Sequence, residues 1–317
     1  MKPIRFGVLA ETSATAERLL GTARLAEDAG CSTLLSRDHL IEGPFPHQLA
    51  PLTALAFVAA ATTRLRVGTL VICNEFRHPV LLAKEIATLD VLSGGRAELG
   101  LGAGFLQREF DQAGLPFEPP GVRVGRLEES IRILKGLFAG GSFTHLGRHY
   151  RVEALDSHPV SAQRPHPPIL VAAAQPRMLR LAGREADIVA LQAVLTTGGM
   201  MTDDPHARTL DTVRRQVEIV HESAAGRDPI PEISTTVTVM VSDRPRDAAC
   251  ELARRRGWGV DSETVLAMPS VFIGSLAHLG DLMKARREEL GLSYLVMSDR
   301  DLPRLAPALP TLLALTD

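Results

Sequence analysis

The stretch Arg64–Gly104 is RLRVGTLVICNEFRHPVLLAKEIATLDVLSGGRAELGLGAG. Two short runs rich in Val, Ile and Leu, Leu65–Ile72 and Ala97–Leu101, bracket Val80–Leu92, where apolar residues recur at helical spacing. The pattern predicts strand, helix, strand, with Gly94 and Gly95 turning the chain after the helix. Strands this apolar are covered on both faces, as in a parallel sheet. Each run ends in polar or small residues, Cys73, Asn74 and Glu75 after the first and Gly102, Ala103 and Gly104 after the second. Ligands sit at that end of the strands in barrels and open sheets of this class.

The same alternation extends in both directions. Strands are predicted over Ile4–Leu9, Ser32–Ser36, Ile169–Ala173, Asp187–Leu191, Ile233–Val241 and Ser293–Met297. Helices are predicted over Ala14–Ala29, Pro51–Thr62, Arg126–Phe138, Pro176–Glu185, Thr209–Ala225, Pro245–Gly257, Ser262–Met268, Leu276–Leu290 and Leu302–Leu315. Eight strands alternating with helices over 317 residues predict one (β/α)8 TIM-barrel domain spanning 1–317. Excursions are expected near 105–124, which reads as irregular, 140–166, which contains a small hairpin, and 196–208, a polar loop. A doubly wound sheet is the structural alternative, because alternation alone does not separate the two.

Composition narrows the function. Hydrophobic residues make up 45% of the chain, enough for a sizeable core. A net charge of −2 gives no reason to expect nucleic acid or an anionic membrane as partner. The three cysteines, Cys31, Cys73 and Cys250, have neither disulfide-framework nor zinc spacing and fit a reducing cytoplasm. No run is long enough for a membrane helix, and the N-terminus reads as a strand and not as a leader. Gly100, Gly102 and Gly104 imitate a dinucleotide loop, but Phe105 stands where its last glycine is needed. His145 and His149 have metal-ligand spacing, yet Gly147 between them indicates a hairpin with surface histidines, so no metal is expected. Aromatic residues, at 4%, leave no obvious stacking cage; Phe45, Phe76, Phe105, Met200 and Met201 are apolar candidates for a cavity lining or for the core.

Several of these segments carry a family resemblance. RLRVGT, FRHPVLLAKE, ATLDVLSGGR and LGLGAGF follow in register, with RDHL, RILKGLF and PRMLRLAGREADIV in support. The chain resembles the luciferase-like flavin and deazaflavin oxidoreductases, in particular the actinobacterial branch that depends on coenzyme F420. The resemblance implies a barrel whose mouth holds a planar ring over the ends of the first strands. It implies a non-proline cis peptide after the third strand, at Leu70–Val71, backing that ring. It places Asp38 and His39 beside the ring as catalytic and cofactor-binding residues, and Ala103, Gly104 and Phe105 around it. Some relatives carry a threonine and a glutamate at positions 103 and 105, so a catalytic acid is not transferable there, and Arg108 and Glu109 remain polar candidates nearby. The cofactor's phosphate is expected at Ala173, Ala174 and Gln175, where Pro176 opens a helix with free N–H groups. The implied activity is hydride transfer between reduced coenzyme F420 and a small organic substrate: a carbonyl, imine or conjugated alkene. A deazaflavin transfers hydride without readily activating oxygen. An FMN-dependent monooxygenase is the alternative, and a non-catalytic flavin-binding protein is the alternative of another class. The resemblance also implies a homodimer, for which Pro51–Thr62 and Val80–Leu92 are apolar enough.

Overall fold

The structure, a computed structural model, describes residues 2–46, 48–193, 195–197 and 200–316. In chain order the first half comprises β1 (Arg5–Leu9), α1 (Ala16–Asp28), β2 (Thr33–Ser36), α2 (Pro51–Ala61), β3 (Arg66–Thr69), β4 (Ile72–Cys73), α3 (Pro79–Leu92), β5 (Ala97–Gly102), α4 (Gln107–Ala113), α5 (Pro120–Ala139), β6 (Ser142–Leu146) and β7 (Arg151–Asp156). Then follow β8 (Ile169–Ala173), α6 (Pro176–Glu185), β9 (Ile188–Leu191), β10 (Leu195–Thr197), β11 (Met200–Thr202), α7 (Leu210–Ser223), β12 (Glu232–Thr236) and β13 (Thr238–Val241). The chain ends with α8 (Pro245–Arg256), α9 (Ser262–Ala267), β14 (Val271–Gly274), α10 (Leu276–Leu290), β15 (Leu292–Ser298), α11 (Leu302–Leu305) and α12 (Leu309–Thr316).

Eight strands pair in parallel in the order β1, β2, β3, β5, β8, β9, β12, β15, and β15 returns to β1. The sheet is therefore a closed (β/α)8 barrel, and closure excludes the doubly wound alternative. Period-two alternation sorts the side chains of each strand. Phe6, Leu34, Leu99, Ile169, Val189 and Leu295 face outward into the shell shared with the helices. Leu9, Leu35, Leu170, Ile188, Tyr294 and Val296 face inward and fill the barrel. Fully burying a side chain such as Phe6 or Leu34 contributes about 1.5–3 kcal/mol.

The N-terminal end of the barrel is closed by polar groups. Arg5 donates to Glu232 at 2.8 and 3.0 Å and to Glu98 at 3.3 Å, and its guanidinium lies 3.4 Å from the Tyr294 ring centroid. Tyr294 donates to the second Glu98 oxygen at 3.0 Å. Gly7 leaves room for this ring: a Cβ there would come 2.8 Å from Tyr294. With that end plugged, the opposite end is the one left to receive a ligand.

Several expectations change. The stretch 105–124 is not irregular: it contains α4 and the start of α5, because Pro120 occupies a helix first turn, where proline is tolerated. The seventh predicted strand divides at Val237; β12 stays in the barrel, while β13 pairs with β14, which the sequence reading did not foresee. The closing helix divides into α11 and α12, since Pro307 cannot continue the hydrogen-bond ladder. The polar stretch 196–208 includes the antiparallel pair β10–β11, and 140–166 holds the expected hairpin, β6–β7. His145 in that hairpin is half-buried: Glu129 lies 3.3 Å from its Nε2 and accepts the amides of Arg148, His149 and Tyr150.

Candidate active site

A cavity of about 870 Å³ opens at the C-terminal ends of the barrel strands. Three features of the chain build its floor. The first is a break in the third strand. The Leu70–Val71 peptide is cis, as the resemblance implied, and separates β3 from β4. Across the break, Thr69 Oγ1 donates to the Gly100 carbonyl and accepts from the Gly100 amide, both at 2.9 Å, in place of the regular ladder. Only glycine fits at position 100, because a Cβ would lie 1.9 Å from the Thr69 carbonyl oxygen. Leu70 and Val71 thereby line the cavity together with Ala103 and Gly104.

The second feature is the chain after β2. Asp38 is buried; its carboxylate accepts the Cys73 amide at 3.1 Å and a second bond from Arg77 at 3.3 Å. It thus ties the end of β2 to β4. His39, next in sequence, lies on the cavity with its Nδ1 3.1 and 3.2 Å from the two carboxylate oxygens of Glu109. Glu109 is 2% exposed and also accepts the Leu40 amide. Burial alone would raise its carboxyl pKa, but hydrogen bonds from His39 and from the Leu40 and Ile41 amides outweigh burial and hold it below the ordinary carboxylate range. An ionised carboxylate only accepts, so Nδ1 of His39 carries the hydrogen and Nε2 is the position left for a transferable proton. The imidazole stacks on Phe45, with centroids 4.4 Å apart, and meets Phe105 edge-on at 6.1 Å.

The third feature is the junction of β8 and α6. Ala172, Ala174 and Gln175 line the cavity. Ala173 does not: alternation turns its side chain outward into the shell. Pro176 is the first residue of α6, and Gln175 makes no side-chain cap bond, so the first-turn amides have no side-chain acceptor there.

The sequence-predicted residues Asp38, His39, Leu70, Val71, Ala103, Gly104, Phe105, Ala174 and Gln175 therefore share one cavity wall system, with Phe45. Of the two further polar candidates, Glu109 enters the site and Arg108 is on the surface. Phe76 does not line the cavity; it packs on Phe110, which does, at 5.2 Å. The side chains of Met200 and Met201 lie outside the described residues. Sequence reading missed the opposite wall, made by Arg208, Arg255, Arg256 and Trp258 with Arg300 and Arg304. Arg208 comes from the turn before α7, Arg255, Arg256 and Trp258 from the β13–α8–α9–β14 excursion, and Arg300 and Arg304 from the chain after β15, and no local motif marks them. Among the described residues no group of three or more His, Cys, Asp or Glu side chains is arranged to hold a metal ion, and no helix is long and apolar enough to cross a membrane.

Comparison with known proteins gives the site its context. The chain is 33% identical over 260 residues to an F420-dependent glucose-6-phosphate dehydrogenase of Microbacterium testaceum, covering 80% of this chain and 72% of that one. It is 32% identical over 263 residues to an F420-dependent hydroxymycolic acid dehydrogenase of Mycobacterium tuberculosis, covering 80% and 68%. Among solved structures, monooxygenase RslO1 from Streptomyces bottropensis superposes with a TM-score of 0.76 over 98% of both chains at 23% identity, a likeness of fold. The sequence profile of the luciferase-like monooxygenases matches residues 1–290, and the chain belongs to that family.

Proposed function

We propose that this protein is an oxidoreductase that uses reduced coenzyme F420 to reduce a small organic substrate, with His39 as proton donor. The observation that carries this reading is the His39–Glu109 pair on the wall of a cavity whose floor is small and apolar. A fixed carboxylate that orients a histidine is the arrangement general acid catalysis calls for.

The residues present fit the cofactor. Leu70, Val71 and Ala103 offer a flat apolar bed, Ala174 and Gln175 permit close approach, and the first-turn amides of α6 suit a phosphate. When bound in reduced form, F420 supplies a hydride. Glu109 holds the His39 ring and its tautomer, and Nε2 delivers a proton to the atom of the substrate that gains negative charge. Asp38, with both carboxylate oxygens engaged, acts as a positioning residue that fixes the His39 backbone against β4. Phe45 and Phe105 shield the imidazole from water, which strengthens its hydrogen bonds.

The relatives named above favour F420 over FMN, and the FMN-dependent monooxygenase reading is an outcome of the test. Anaerobic titration of the protein with F420 and with FMN, followed by oxygen-consumption measurement of the reduced complexes, separates the readings. F420 binding without oxygen consumption supports this one; FMN binding with rapid oxygen uptake contradicts it; tight binding without turnover of any carbonyl, imine or alkene panel indicates storage.

We infer a homodimer through α2 and α3, which leave Phe57 46% and Leu81 61% exposed, with Leu92 exposed at the end of α3. The free thiols Cys31, Cys73 and Cys250 fit the cytoplasm.

A further inference from the structure

We propose that the wall formed by α8 and the β15–α11 junction recognises an anionic group, a carboxylate or phosphate, on the substrate. The proposal rests on the cavity being the oxidoreductase site described above, and it specifies the substrate class.

This part of the cavity lining contains five arginines, Arg208, Arg255, Arg256, Arg300 and Arg304, and two aspartates, Asp203 and Asp301. The arginines fall into two sets. Arg208 and Arg256 are occupied: Asp203 pairs with both, at 2.6 and 3.3 Å, and their guanidinium carbons lie 5.3 and 5.7 Å from the Trp258 ring centroid. They form a fixed platform around a buried indole. Arg255, Arg300 and Arg304 form no ion pair and no side-chain hydrogen bond with any described residue. Glu11, which also borders the cavity, does not neutralise them, since Arg37 pairs with it at 2.6 Å and Ser298 donates to it at 2.5 Å.

Arg255, Arg300 and Arg304 stand exposed along the rim of the cavity, and Asp301, which borders the same wall, forms no ion pair with a described residue, so this rim carries an excess of positive charge that attracts anions. Guanidinium matches carboxylate and phosphate through paired N–H donors. The location separates this function from the cofactor's. The bed for the ring and the amides for its phosphate lie on β3, β5 and β8, whereas β15 adjoins β1 and β12 on the other side of the ring of strands. The volume of about 870 Å³ is at the upper end of single-ligand pockets, which leaves space for a substrate beside a bound ring. A substrate held by its anionic end on Arg255, Arg300 and Arg304 extends its reducible group toward His39.

The test uses inorganic phosphate as probe and calorimetry as readout, on protein first saturated with F420, with the fluorescence of Trp258, the single tryptophan, recorded alongside. Saturable phosphate binding that weakens at least about tenfold in the Arg255→Gln/Arg304→Gln double variant, with F420 affinity unchanged, supports the proposal; tenfold corresponds to about 1.4 kcal/mol, no more than one charge-assisted hydrogen bond. Absence of phosphate binding, equal binding by the double variant, or binding abolished by F420 saturation overturns it; the last result assigns the arginines to the cofactor's tail. Failure of F420 to bind at all is read from the first titration alone and overturns the underlying oxidoreductase reading.

Discussion

Replacing Glu109 by glutamine tests the core of the site without changing its shape. The wild-type carboxylate, 2% exposed, accepts from the His39 ring and from the Leu40 amide, with Ile41 adding a third donor. Glutamine keeps one acceptor oxygen and places an NH2 group where the second oxygen stood. Hydrogen bonds to charged groups contribute about 1.5–3 kcal/mol and neutral ones about 0.5–1.5 kcal/mol. Neutralising the acceptor of two amide bonds and losing the one to His39 therefore costs about 2–4 kcal/mol. The pH dependence follows from the depressed carboxyl pKa. A folded-state pKa below the unfolded one contributes stability that is complete above the ordinary glutamate value, about 4.3, and is lost as pH falls through the folded value. The gap between wild type and Glu109→Gln is thus widest near neutrality and closes on acidification below about pH 4. Urea unfolding of both proteins from neutral pH downward measures it. A gap under about 0.5 kcal/mol at neutral pH, or one that stays constant through the carboxylate range, refutes the role assigned to Glu109.

His39→Ala is expected to lower turnover at saturating cofactor by at least roughly tenfold with thermal stability nearly unchanged, measured by stopped-flow oxidation of reduced F420; an unchanged rate contradicts the proton-donor role. Arg5→Ala strands Glu98 and Glu232 in the barrel floor and should cost about 3–5 kcal/mol in urea unfolding. Gly100→Ala drives a Cβ into the Thr69 carbonyl and should cost more than about 3 kcal/mol, seen as loss of soluble protein or a sharply lower unfolding midpoint. Burial pushes the Cys31 thiol up to about 12 and raises that of Cys73 further, whereas Cys250 is exposed, so a disulfide reagent at pH 8 should modify one thiol in native protein and three after denaturation.

The barrel was legible because its signal is local. Runs such as Leu65–Ile72 and Ile169–Ala173 declare strands by their own composition, and prolines 51 and 176 sit in the first turns of helices that were expected to begin there. What was not legible depends on distant partners. Glu98 lies inside an apolar run, and nothing near it shows that Arg5 and Tyr294 close the barrel end around it. Glu109 was one of two polar residues in a stretch read as irregular; α4 is what turns it toward His39, 70 residues earlier. Asp38 and His39 were found as a pair, but their tasks differ because the Asp38 carboxylate is engaged by Cys73 and Arg77 while the His39 ring is held by Glu109. Ala173 was placed with its neighbours by position in the chain, although strand alternation sends it outward. Trp258, Arg255 and Arg256 came to the site on an excursion that has no counterpart in the strand–helix repeat.

The decisive measurement is the structure of the complex with F420. The deazaflavin ring is expected against Leu70, Val71 and Ala103 with its reactive edge within reach of His39, and the phosphate on the first turn of α6. A ring bound away from His39, or a preparation in which FMN displaces F420 from the cavity, contradicts the proposed function.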